Sequence, residues 1–75
     1  MDIEIIKNIA AAFAIGMGVL GPAIAIGIIG GKAVEAIGRN PESAPKIQTM
    51  AILSIAFAEA VAIYVLVITL IVKFV

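Results

Sequence analysis

The apolar positions of this chain fall into two long runs separated by a short polar stretch. Asn8–Gly31 carries no charged side chain over 24 residues, and Ile47–Val72 carries one carboxylate over 26. Wound as a helix at about 1.5 Å per residue, either run is long enough to cross the ~30 Å hydrocarbon core of a bilayer. Between them Asn40-Pro41 supplies a turn signal, Gly38 is suited to end the first helix, and Pro41 or Pro45 is suited to open the second. The pattern predicts an all-α membrane protein: a single transmembrane hairpin over residues 1–75, with helix 1 at about 3–37, a polar loop at about 38–45 and helix 2 at about 46–74. Helix 1 outlasts its apolar run because Glu35 and Arg39, spaced i,i+4, can pair on a solvated face.

Within helix 1 the small residues are more informative by angle than by number. At about 100° per residue, Ala11, Ala14, Gly18, Gly21 and Ala25 share one face, and Ala12, Gly16, Ala23, Gly27 and Gly30 share roughly the opposite one. Small residues let membrane helices approach closely, and a simple dimer needs only one such seam. Two opposed seams predict a neighbour on each side. Copies meeting through non-identical faces propagate head to tail until the rotation closes, so the expected assembly is a ring of hairpins.

Composition places the hairpin in lipid, since a chain 64% hydrophobic with a mean hydropathy of +1.28 lacks the charged surface of a soluble domain. Five basic and five acidic side chains leave no net charge to attract nucleic acid. Met1-Asp2-Ile3-Glu4 is acidic, which argues against a cleaved targeting segment. With no Cys and no His, the usual transition-metal sites and nucleophile–base pairs cannot be assembled, so neither a free-standing enzyme nor a metal or other cofactor is expected. Lys32, Arg39 and Lys46 flank the loop, whereas Lys7 and Lys73 are the basic side chains near the termini. That bias orients a multi-pass membrane protein with its loop cytoplasmic and both termini on the opposite side.

The lone carboxylate, Glu59, is the thirteenth of the 26 residues Ile47–Val72 and lies near the middle of the bilayer. Holding a charge there costs from about 2.5 to more than 10 kcal/mol, so an intramembrane acid is a functional group by default. It rests as the neutral acid and ionises only where a partner or water receives the charge, which suits it to carry a proton. Alanines at 56, 58, 60 and 62 leave it open to another helix, and no basic residue shares its depth. Na⁺ would need several oxygen ligands, yet Ala60 and Val61 offer none from their side chains, and Ser54 and Thr69 lie one to three turns away.

Several segments carry a resemblance. Gly21-Pro22-Ala23-Ile24-Ala25-Ile26-Gly27, Gly31-Lys32-Ala33-Val34-Glu35, Arg39-Asn40-Pro41-Glu42, and Phe57-Ala58-Glu59-Ala60 with Tyr64 together resemble the ring-forming proteolipid of F-type ATP synthases. The likeness runs over nearly the whole chain from Gly16 onward. It implies a closed ring of identical subunits in a bacterial plasma membrane, with helix 1 inside and helix 2 outside. It also implies proton exchange with the a subunit and rotation of the central-stalk gamma and epsilon subunits. By the same resemblance Glu59 matches the ion-carrying carboxylate, Tyr64 the tyrosine that donates a hydrogen bond to it, and Phe57 the residue whose backbone carbonyl accepts the carboxyl proton. Arg39, Asn40 and Pro41 match the stalk-contact loop, with Asn where Gln is usual. Family members that carry Na⁺ have Gln at the position of Ile26 and hydroxyl residues at those of Ala60 and Val61, so the resemblance favours H⁺. Ala23 and Ala25 stand where many members have Gly. A reading from another class is a holin-like, pore-forming or structural hairpin that assembles without turning.

Overall fold

The computed structural model describes residues 2–75. Helix α1 spans Ile3–Arg39, a single 3-10 turn spans Pro41–Ser43, and helix α2 spans Ala44–Phe74. Asp2 caps α1, its carboxylate accepting from the Ile5 backbone N–H at 2.9 Å, and Glu4 and Arg39 each lie at the end of the helix dipole that favours their charge. Pro22 lies inside α1, which continues through it, although the missing N–H leaves the Gly18 carbonyl without its helical donor.

The turn is tighter than the sequence suggests, and Gly38 does not end α1. No residue among those described adopts a left-handed backbone, so Gly38 stays helical and α1 runs on to Arg39. The helix ends at Asn40 instead, extended at φ −143 and ψ 82, because a residue preceding proline is pushed out of the α region. Pro41 then opens the 3-10 turn and Pro45 lies in the first turn of α2. Both the backbone N–H and the hydroxyl of Ser43 donate to the Asn40 carbonyl, at 3.1 and 2.9 Å, which closes the turn on itself.

The two helices lie antiparallel in a rod with principal extents of 59 × 16 × 8 Å. Their contact is thin. Ala11, Ala58 and Thr69 are the buried residues among those described, and no large side chain is fully enclosed. Thr69 satisfies its hydroxyl by donating to the Val65 carbonyl at 2.7 Å. The bulky apolar side chains instead point outward along both helices, with Phe13, Phe57 and Tyr64 each about two-thirds exposed. In water that surface would be prohibitive; in hydrocarbon it is the solvated side of the molecule.

Candidate functional site

Glu59 is placed by its neighbour. Ala58 is buried against α1, and one helical step of about 100° carries Glu59 away from that contact onto an exposed flank of α2. Tyr64 is five residues further on, so it lies about 140° around the helix from Glu59, and Phe57 is displaced by about 160° in a similar sense. Glu59 therefore occupies one flank, and Phe57 and Tyr64 occupy the other, each 67% exposed. Among the described residues no hydrogen bond joins Tyr64 to Glu59. The ion pairs are Arg39–Glu35 near the loop and Lys73–Glu4 near the termini, so neither reaches Glu59. Three residues expected to act together are thus split between two sides of one helix.

The small-residue seams of α1 are also divided, and this corrects the expectation that each faces another copy. Ala11 is buried, Ala14, Gly18 and Ala25 are half-buried, and a Cβ added at Gly18 would collide with Cγ1 of Val65. The neighbour on this seam is the chain's own α2, which periodicity alone could not distinguish from a second copy. Gly21 falls off its edge, exposed and with nothing near an added Cβ. On the opposite seam Ala12, Gly16, Ala23 and Gly27 are exposed and Gly30 is half-buried; Cβ atoms built on its three glycines meet nothing within 4 Å. Counting along the antiparallel helices from the Gly18–Val65 pair puts Ala25 level with Ala58. Glu59 therefore lies at the depth where both helices are smallest.

At the tip, Arg39, Asn40 and Pro41 are exposed, with the Arg39 guanidinium bound to the Glu35 carboxylate. The far end holds a feature that the hydropathy pattern does not reveal. Lys73 donates to the Asn8 side-chain oxygen and lies 4.0 Å from the Glu4 carboxylate, while Lys7 donates to the Val75 backbone carbonyl at 3.3 Å. The available signal was that Asn8 and Lys73 both flank apolar runs at the same end of the hairpin. No group of three or more His, Cys, Asp or Glu residues gathers among the described residues.

Comparison with known proteins bears on this arrangement directly. The family model for the C subunit of ATP synthase matches residues 9–72. The corresponding ATP synthase protein of Dehalococcoides mccartyi is 49% identical over 75 residues, covering 100% of this chain and 99% of the relative. That of Chloroflexus aurantiacus is 46% identical over 71 residues, covering 95% and 93% respectively. Another, from a Synechococcus species, is 47% identical over 66 residues, covering 88% and 82%. With the paired apolar helices, the mid-depth acid and matches running the length of the hairpin, the chain belongs to the C-subunit family of ATP synthases.

Proposed function

We propose that this chain is the proton-carrying unit of a rotor ring in the membrane sector of an F-type ATP synthase, and that Glu59 is the group that carries the proton. One observation supports this above the rest: the acid lies on one flank of α2, with Tyr64 and Phe57 on the other. When copies stand side by side around an axis normal to the membrane, the Glu59 flank of one meets the Tyr64 flank of the next. That contact is head to tail, as a closed ring requires. The Tyr64 hydroxyl then donates to the neighbouring carboxyl, and the free lone pair of the Phe57 carbonyl accepts its proton. The exposed seam of Ala12, Gly16, Ala23, Gly27 and Gly30 packs between copies.

Such a site holds a neutral acid in lipid and releases the proton when the a subunit presents water or a cationic partner. In this reading Arg39, Asn40 and Pro41 meet the gamma and epsilon subunits of the central stalk. The loop faces the cytoplasm of a bacterial cell, and the chain has no catalytic group of its own.

The test is modification by a hydrophobic carbodiimide, which attacks protonated carboxyls in lipid. In the purified ring, labelling should concentrate on Glu59, decline as the pH rises, and be indifferent to Na⁺ at fixed pH and ionic strength. Protection by millimolar Na⁺ would overturn the proton assignment and require ligands from backbone or bound water.

A further inference from the structure

Val65 and Gly18 meet as knob and hole. A Cβ added at Gly18 would collide with Cγ1 of Val65 and stand 3.0 and 3.2 Å from its Cγ2 and Cβ, whereas the same atom built on any of the other six glycines meets nothing within 4 Å. Of the seven gaps this one alone is filled, and by the chain's own α2. The occupant is stiff, because a valine in a helix is confined almost wholly to one χ1 rotamer and cannot swing aside. What the contact fixes is therefore the helix that carries it.

Val65 and Ala58 are seven residues apart and lie within about 20° of one another, on the face toward α1. From the direction of Val65, Tyr64 lies about 100° to one side and Glu59 about 120° to the other. Any turn of α2 about its own axis thus carries one flank toward α1 and the other away from it. At a radius of about 5–6 Å, a turn of about 10° moves a side chain by roughly 1 Å, enough to stretch a hydroxyl hydrogen bond of about 2.8 Å past its useful range. Side chains in a helix lean toward its N-terminal end, so Tyr64 reaches from its own level toward that of Glu59. Other restraints on rotation are weak. Ala11 and Ala58 present one methyl each on the same seam, and the bridges at the termini are made by lysines on flexible four-carbon stems.

We propose that Gly18 and Val65 are positioning residues for the proton-carrying site, their contact holding α2 at the rotation that presents Tyr64 to the Glu59 of the next copy. This role presupposes the side-by-side pairing of copies in which Tyr64 donates to the neighbouring carboxyl. Neither residue reaches that carboxyl itself: Val65 is six residues from Glu59, about 9 Å along the axis, and Gly18 is on the other helix.

Tyr64 is the chain's one tyrosine and there is no tryptophan, so ultraviolet resonance Raman spectra of the intact ring in bilayers read its hydroxyl directly, as donating or free. In the unaltered ring the hydroxyl should donate, and in dispersed hairpins it should be free. Gly18→Ala should force α2 aside and lower the ratio of donating to free hydroxyl roughly two- to tenfold, the span of one neutral hydrogen bond. Val65→Ala clashes with nothing and should also lower it, by giving α2 slack, so it probes the same contact if Gly18→Ala rings fail to form. Combining the two lets the new methyl take the room the valine leaves and should restore the ratio. Gly38→Ala, the same change at a helical glycine with open space beside it, should not alter it. A hydroxyl already free in the unaltered ring would overturn the pairing of copies, and the positioning role with it. A hydroxyl that donates there and keeps its ratio in both single variants would overturn the positioning role alone, as would a double variant no better than either single.

Discussion

The middle of the hairpin and its ends are held by opposite means. In the middle, contact is made by what is missing: Gly18 gives Val65 room, and Ala11 and Ala58 bury little surface but allow the backbones to come close. At the termini, long polar side chains link the helices, Lys73 reaching Asn8 and Glu4, and Lys7 reaching Val75. Dispersion and close approach hold the helices in hydrocarbon, where apolar surface gains little from leaving lipid. Charge pairing is confined to the ends, where water screens it and an exposed pair contributes about 0–1 kcal/mol. Against that division Glu59 is the exception: a polar group placed in the region built from small apolar contacts, with no hydrogen-bond or ion-pair partner among the described residues.

The contrast breaks most sharply at Glu59. Glu59→Gln keeps the shape and removes ionisation, so rings should assemble while proton-driven ATP synthesis by the reconstituted complex falls to background. Substantial coupled synthesis by a ring composed wholly of the variant would show that the mid-membrane acid is not the carrier. Next come the two seams, which the structure now separates. Gly18→Leu drives a side chain into Val65, an overpacking that commonly costs about 1–3 kcal/mol, and should loosen the hairpin even when dispersed as single copies. At Gly27 an added Cβ meets nothing within 4 Å among the described residues, so Gly27→Leu should leave the dispersed hairpin intact while reducing ring yield and detergent resistance. Equal effects of both on the lone hairpin, read by thermal loss of helix–helix proximity between labels, would erase the distinction between seams.

Tyr64→Phe should have a smaller effect. It deletes a hydroxyl whose hydrogen bond to a carboxyl is worth about 0.5–1.5 kcal/mol, or up to about 3 kcal/mol if the acceptor is charged. Carbodiimide should then modify Glu59 at a changed rate in the assembled ring and at an unchanged rate in dispersed hairpins. The same change in both would place the tyrosine's influence within one chain. The smallest effect belongs to the ends. Lys73→Met removes the bridge to Asn8 and Glu4, and with the lysine side chain 31% exposed and that of Glu4 76% exposed the loss should stay below about 1 kcal/mol. Hydrogen exchange should quicken in the last turns of α2 and first turns of α1, and nowhere near Ala58. Faster exchange along the whole hairpin would mean that the ends, not the middle, fix the register.

Much of this was legible in the sequence because lipid simplifies the code. Two apolar runs of spanning length leave helices as the economical solution, since backbone groups in hydrocarbon must be satisfied within the segment. The turn was legible only in outline. Gly38 carries the commoner stop signal, but Pro41 restricts Asn40 whatever precedes it, and that steric rule prevailed. The owner of each seam was not legible at all: a period of 3.6 tells which residues share a face but not whose helix covers it. Nor could Lys73 be matched to Asn8, because a pairing between helices depends on a register that the Gly18–Val65 contact sets from a distance.

The split of Glu59 from Tyr64 across α2 has an arithmetic consequence. If the proposed pairing of Glu59 with the neighbour's Tyr64 holds, each hairpin contributes half of two different sites, so a lone hairpin holds none that is complete. An open arc of n copies has n − 1 complete sites, with an orphan acid at one end and an idle tyrosine at the other; only closure makes acids and sites equal in number. Membership of the circle then becomes a chemical property as well as a geometric one. On that pairing, a copy lacking the Tyr64 hydroxyl in a ring of mixed composition should keep its own carboxyl in good order and impair the one beside it, always on the same side.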